Sequence, residues 1–348
     1  IYYWGADKFT VIISGAKDLA EIKKKTKEVR SKVSRTIKVN GETIIVTCSI
    51  GVSMSPIHSN NINDLCRDAD IAMHQAKQKG KNRIQYFKEY MKDVIITNYG
   101  MGQSLKEAVS KNQWEVYYQP QIDFNTDKII GFEALIRWNH PEKGLVMPSS
   151  FIATAETNDS IFEIGEYVLK EVCHQTSVWN KEQSKDLIAS VNLSAREFER
   201  KNLVKLIDST LEESKLDPKN LIIEITENTF LNDTAKKIND IKDRGIKVSI
   251  DDFGTGYSSL GYLYEYSIDA IKIDKSFVRN IDQDKQKKIL SNSIINLANN
   301  LDLDIVTEGI ENKNELNFFT SKQCSKFQGY FFSKPLPKKD FENLILSS

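Results

Sequence analysis

The chain has 348 residues, 40% of them hydrophobic and 28% charged, which sets aside collagen-like, disordered and disulfide-scaffold classes and calls for a substantial core. Lys+Arg 48 against Asp+Glu 48 gives zero net charge, which argues against a nucleic-acid polymer as partner, because such binding draws on a basic surface. Four scattered cysteines (Cys48, Cys66, Cys173, Cys324) form no CxxC pair, and no run approaches the roughly 20 apolar residues of a membrane span. A soluble chain in a reducing compartment is expected. The length is about twice that of a typical domain, but a barrel of roughly 250 residues would account for most of it. Residues 1–100 hold 17 basic and 10 acidic residues, and the rest carries the compensating negative charge, which suggests a boundary near residue 100.

In the first hundred residues the apolar run Phe9 to Ser14 predicts a strand, and Leu19 to Val33 a charged helix. Ile37 to Ser55 carries an Asn40-Gly41 turn between β-rich segments, the usual hairpin signal. Asn63 to Lys79, with apolar Leu65, Ala69, Ala72, Met73 and Ala76, reads as an amphipathic helix ended by Gly80. So few elements cannot cover both faces of a sheet, so the chain is expected to begin inside a domain.

From about residue 101, short β-rich runs alternate with helices. The runs are 114–123, 129–138, 187–194, 221–227, 247–254, 270–277, 304–310 and 326–332; helices are predicted over Ile161 to Gln183, Glu197 to Lys215, Thr234 to Arg244, Gln286 to Asn300 and Lys313 to Thr320. Eight strands with intervening helices predict an α/β fold, a (β/α)8 TIM-like barrel. The first two runs lie too close for a crossover helix, so the first strand is expected to be antiparallel.

Polar residues interrupt these strands near their C-terminal ends, where such barrels carry their active sites. They are Glu133, Asn192, Glu224, Asp251 with Asp252, Lys272, Glu308 and Gln328. A single strand-end carboxylate is more often a cap or a surface group. Several converging on one mouth would repel and take up protons unless cations neutralised them. Oxygen-only ligands select Mg2+ or Mn2+, and an Asp-Asp pair could bridge two such ions, the arrangement that serves phosphodiester hydrolysis.

The segments Tyr118-Gln119-Pro120, Glu133-Ala134-Leu135-Ile136-Arg137-Trp138, Asn192-Leu193-Ser194, Glu224-Ile225-Thr226-Glu227, Asp251-Asp252-Phe253-Gly254-Thr255-Gly256, Lys272-Ile273-Asp274, Glu308-Gly309-Ile310-Glu311 and Gln328-Gly329-Tyr330 resemble, in order and spacing, the EAL domains, bacterial cyclic di-GMP phosphodiesterases. The resemblance implies that Glu133, Asn192, Glu224 and Asp251 hold one of two Mg2+ or Mn2+ ions, with Asp251 shared and Asp252 holding the second. It implies catalytic roles for Glu133, Asp252, Lys272 and Glu308, with Lys272 orienting the attacking water, and the product linear pGpG. Candidate substrate contacts are Gln119, Leu135, Arg137, Glu311 and Gln328; the guanidinium of Arg137 suits a phosphate, with a structural ion pair as the bland alternative. Glu227, Gly254 and Gly256 would couple the loop after Asp252 to a homodimer of EAL domains.

Ser49-Ile50-Gly51-Val52, Ala69-Asp70-Ile71-Ala72-Met73 and Gly80-Lys81-Asn82-Arg83 resemble the second half of a GGDEF diguanylate cyclase domain. Its signature would be Gly5-Ala6-Asp7-Lys8-Phe9, where Ala6 adds a methyl beside the nucleotide and Lys8 replaces an acidic metal ligand. Residues 1–99 are thus expected to be a partial α+β GGDEF-like domain without cyclase activity, a regulatory module for which GTP sensing in a longer protein stands against the bland alternative of a solvated basic surface, and residues 100–348 an EAL phosphodiesterase. The resemblance implies a bacterial, cytoplasmic location, including the cytoplasmic part of a membrane-anchored sensor. The competing readings are a cyclic di-GMP receptor without turnover, an enolase-type barrel enzyme and a diguanylate cyclase.

Overall fold

The computed structural model describes residues 1–348 except 17, 40–41, 79, 184, 228, 230–233, 256–262, 264–265 and 348. Contacts divide the chain into two units, Ile1–Met101 and Gly102–Ser348.

In the first unit β1 (Tyr2–Gly5) and β2 (Lys8–Thr10) form an antiparallel hairpin in which Tyr2 faces Thr10. The strand expected over Phe9 to Ser14 is therefore displaced towards the N-terminus. Gly5 at φ 118° and Ala6 at φ 49° make a tight turn that folds Tyr2–Gly5 back on Lys8–Thr10. Helix α1 (Leu19–Val33) starts where the Asp18 side chain accepts the Glu21 N–H at 2.8 Å. Strands β3 (Arg35–Val39) and β4 (Glu42–Val46) pair antiparallel, as the hairpin signal predicts; the Asn40-Gly41 turn lies outside the described residues. Strand β5 (Ile50–Val52) pairs parallel with β6 (Ile84–Tyr86) across α2 (Ile62–Gln78). A side chain at Gly51 would strike the Ala69 carbonyl, so glycine is what lets α2 lie this close to β5. Ala72, Phe87 and Met91 form the local core. Helix α3 (Tyr90–Ala108) follows.

The second unit is a closed eight-stranded barrel. Its strands are β7 (Trp114–Asp123), β8 (Lys128–His140), β10 (Ile188–Leu193), β11 (Leu221–Thr226), β12 (Lys247–Phe253), β13 (Ala270–Ile273), β14 (Asp304–Thr307) and β15 (Lys326–Phe327); β9 (Gly144–Val146) and β16 (Leu336–Pro337) add at the margins. Strand β7 runs antiparallel to both neighbours, β8 and β15, and closes the ring, whereas β8 and β10 to β15 are mutually parallel. Strand alternation sorts the residues. On β7 and β8, Tyr118 and Phe132 face outward and form one aromatic cluster with Trp179 and Phe341, with centroids 5.0–5.6 Å apart. Each ring pair adds about 0.5–1.5 kcal/mol beyond area burial. The alternate residues Gln119, Gln121, Glu133, Leu135 and Arg137 point into the barrel.

Helices α4 (Pro148–Thr157) and α5 (Ser160–Gln183) precede β10. The helix expected over Glu197 to Lys215 is two, α6 (Ala195–Glu199) and α7 (Leu203–Ser214), because Arg200 takes a non-helical backbone at ψ 127°. Helix α8 (Ala235–Lys242) precedes β12. The run 270–277 is strand only to Ile273; Asp274 accepts the Ser276 N–H at 2.8 Å and starts the short helix α9 (Lys275–Val278). Helices α10 (Lys285–Asn300), α11 (Lys313–Thr320) and α12 (Lys338–Ser347) complete the unit. Among the described residues no helix is long and apolar enough to cross a membrane.

Candidate active site

The strand-end residues converge. Lys272 on β13, 1% exposed, is surrounded by four carboxylates: its Nζ lies 2.6 Å from Glu224, 2.6 Å from Glu308, 3.2 Å from Glu133 and 3.3 Å from Asp251. Glu133 and Glu224 are buried beneath the mouth, while Asn192 and Asp252 reach solvent. The Asn192 Nδ2 donates to Glu133 Oε1 at 2.6 Å, which leaves its carbonyl as the ligand end.

Neighbours in a strand point to opposite faces, yet Asp251 and Asp252 both reach this site. A bulge between Ile250 and Phe253 sets the two aspartates opposite the single residue Lys272. Asp252 adopts a left-handed backbone at φ 53°, and its N–H donates to Asp251 Oδ1 at 2.9 Å. Aspartate tolerates that region better than most residues. Just beyond the end of β14, the Glu308 N–H extends the ladder to Ile273 O at 3.1 Å. A side chain at the next residue, Gly309 (φ +67°), would run into Lys275.

The electrostatics follow from four carboxylates around one ammonium, with Asp252 next to Asp251. Burial would lower the Lys272 ammonium, but the charges of Asp251, Glu133, Glu224 and Glu308 hold it well above its usual range. Burial would raise Glu133, and here Lys272 with the Gln328 and Asn192 amides outweighs it and holds it low. Glu224 is pushed up to about 8 by burial and its acidic neighbours against the pull of Lys272. Burial and Asp251 raise Asp252 to about 6, and burial raises Glu308 well above the carboxylate range.

Oxygens of Glu133, Glu224 and Asp251 come within 4.8 Å of one another, and so do oxygens of Asp251, Asp252 and Glu308. Two all-oxygen groups sharing Asp251, with more negative charge than one lysine neutralises, fit a pair of hard divalent cations.

A sequence profile described as EAL domain matches residues 102–335. The chain belongs to the EAL-domain family. A second profile, diguanylate cyclase GGDEF domain, matches residues 1–83. Signaling protein YkoW of Bacillus subtilis is 34% identical over 346 residues, which are 98% of this chain and 43% of that protein. The bifunctional diguanylate cyclase/cyclic di-GMP phosphodiesterase MucR of Pseudomonas aeruginosa is 32% identical over 336 residues, 96% of this chain and 49% of that protein. The chain thus spans less than half the length of these relatives. The solved structure of the PaMucR phosphodiesterase with c-di-GMP matches with a TM-score of 0.68 at 35% identity, over 70% of this chain and 99% of that one.

Within the EAL domain, Arg137 is 5% exposed, lies 5.1 Å over the Tyr117 ring and donates to Ile136 O at 2.9 Å. Among the described residues it has no ion-pair partner, which disfavours the bland reading of this guanidinium. Leu135 lies between Glu133 and Arg137 on the same inward face of β8. Gln119 and Gln328 are buried and bonded to each other: Gln328 Nε2 donates to Gln119 Oε1 at 3.1 Å and to Glu133 Oε2 at 2.5 Å. Glu311 stands apart from the cluster. It pairs with Arg279, and its N–H donates to Glu315 at 2.8 Å. Glu227 is buried and accepts the Gly254 N–H at 3.3 Å; Gly256 lies outside the described residues. In the GGDEF-like segment, Lys8 Nζ sits 2.9 Å from Asp70, so an internal ion pair neutralises the cation of the altered signature.

Three residues of the site receive no role from the motifs, although Asp274 stands in one of them. Gln121 donates to Gln328 Oε1 at 3.0 Å. Tyr117 lies against Arg137, and buried Asp274 helps raise Asp252. The period-two spacing of Tyr117, Gln119 and Gln121 on one strand was the available signal for two of them.

Proposed function

We propose that the EAL domain, residues 100–348, hydrolyses cyclic di-GMP to linear pGpG with two Mg2+ or Mn2+ ions. The observation that carries this reading is the pair of all-oxygen groups sharing Asp251 around buried Lys272. Glu133, Asn192, Glu224 and Asp251 would hold one ion, and Asp252 the second beside Asp251 and Glu308. Such ions make water more acidic and stabilise charge on the leaving oxygen.

The residues of the chain do the rest. Lys272 orients the water, whose oxygen bonds to phosphorus as the P–O3′ bond breaks. Glu308, in the carboxylate form that bound cations would favour, takes the proton from the water, and the departing O3′ takes a proton from solvent and ends as a hydroxyl. Arg137 holds a phosphate through its free N–H donors, while Leu135, Gln119 and Gln328 line the approach; Glu311 would join after leaving Arg279. Glu227, Gly254 and Gly256 couple the loop after Asp252 to a homodimer. Residues 1–99 act as a cyclase-inactive regulatory module that takes GTP in the full protein, on the cytoplasmic side where the dinucleotide is found.

The test is product formation from cyclic di-GMP with Mg2+ or Mn2+. Turnover to pGpG is expected, and Glu133→Ala should remove most of it. A folded chain that binds the dinucleotide but gives no product with either ion would overturn the reading in favour of a receptor.

A further inference from the structure

Gln121 lies on β7 opposite Gly131, one inward-facing pair deeper than Gln119 opposite Glu133. It is 5% exposed, and its cross-strand neighbour has no side chain to compete for the barrel interior. A side chain at position 131 would strike the Ile188 carbonyl on the neighbouring strand, so this position stays bare opposite Gln121.

The inward-facing glutamines form a directed chain. Gln121 Nε2 donates to Gln328 Oε1 at 3.0 Å. Gln328 Nε2 then donates to Glu133 Oε2 at 2.5 Å and to Gln119 Oε1 at 3.1 Å. Gln119 Nε2 donates to the Ser333 carbonyl at 3.3 Å. A carboxamide has one donor end and one acceptor end. Were Gln328 turned over, its carbonyl would face the Glu133 carboxylate, acceptor against acceptor. Glu133 Oε2 would keep Lys272 and lose its amide donor. The donor that Gln121 aims at Gln328 Oε1 prevents this.

We infer that Gln121 is a positioning residue for the proposed phosphodiesterase: it fixes the orientation of the Gln328 carboxamide and, through it, the carboxylate of Glu133. The inference rests on the hydrolytic reading for its effect on rate, but not for its effect on Glu133. Partners that orient a metal-ligating group typically contribute 10- to 100-fold in affinity or activity.

Three variants of the whole chain test it. Gln121→Glu replaces the donor by an acceptor and turns Gln328 over; Gln121→Leu and Gln121→Met remove the donor with little change of volume. Each is assayed for kcat and KM with cyclic di-GMP, for Mn2+ binding by titration without nucleotide, and for melting temperature. Expected are a kcat loss of about 10- to 100-fold, largest for Gln121→Glu, with KM within about twofold, and Mn2+ binding weakened by about tenfold. Gln121→Leu and Gln121→Met keep the test decisive if the buried charge of Gln121→Glu prevents folding. Folded variants with unaltered Mn2+ affinity overturn the inference, and so do losses that merely follow melting temperature. If the wild-type chain shows no turnover, the hydrolytic reading fails and the Mn2+ titration still decides the role of Gln121.

Discussion

Lys272→Met should destabilise the cation-free barrel more than any surface substitution. At 3.2 and 3.3 Å and an effective dielectric of roughly 20, the contacts to Glu133 and Asp251 each supply about 5 kcal/mol of attraction, set against a desolvation penalty of several kcal/mol per ion. The penalty is already met in the native protein. Removing the lysine leaves the penalty of the carboxylates and takes away their partner, which typically costs about 3–5 kcal/mol. For a barrel of this size that is a fall in Tm of roughly 6–20 °C. The assay is a circular-dichroism melt of both proteins in chelator, repeated with Mn2+. Added cation should narrow the gap by replacing part of the lost positive charge. A Tm within about 2 °C of wild type in chelator would refute Lys272 as the counter-charge.

Arg137→Ala should raise the dissociation constant for cyclic di-GMP by roughly 10- to 100-fold, as for a lost charged hydrogen bond of about 1.5–3 kcal/mol; unchanged calorimetric affinity would remove the phosphate contact. Glu197 is buried in a capping box with Ser194, and burial raises it to about 7, so the folded state binds its proton more tightly than the unfolded one. Its contribution to stability is fully present below about pH 4.5 and is lost as pH rises through about 7, roughly 3 kcal/mol in all. Denaturant titrations from pH 5 to 8 should therefore show a shallower decline for Glu197→Gln; parallel curves would contradict this. A side chain at Gly329 would meet the backbone N and O of Ile310, so Gly329→Ala should lose about 1–3 kcal/mol, read from the denaturation midpoint.

Alternation and turn chemistry made much of the barrel legible: the eight strand positions, the antiparallel start and the bounds of Lys313–Thr320 all follow from pattern. The carboxylates stood out because charge inside an apolar strand needs a reason. What pattern could not reveal was how two adjacent aspartates reach one site, since strict alternation would send one of them outward. That depends on the bulge before Phe253 and the backbone of Asp252. The break at Arg200 was hidden because residues on both sides have sound helical periodicity. Gln121 was hidden for a different reason: an uncharged amide in a strand gives no sign of its partner, which lies 207 positions away.

The reversed direction of β7 also decides where the polypeptide enters the cylinder. In an all-parallel ring the incoming chain would join at the floor, a full strand length from the opening. Here Trp114 starts at the rim, and Glu115 pairs directly with Arg137. A pull or twist on residue 113 therefore arrives first at Asn139 and Trp138, which both bond to Gln113 at the rim next to Arg137.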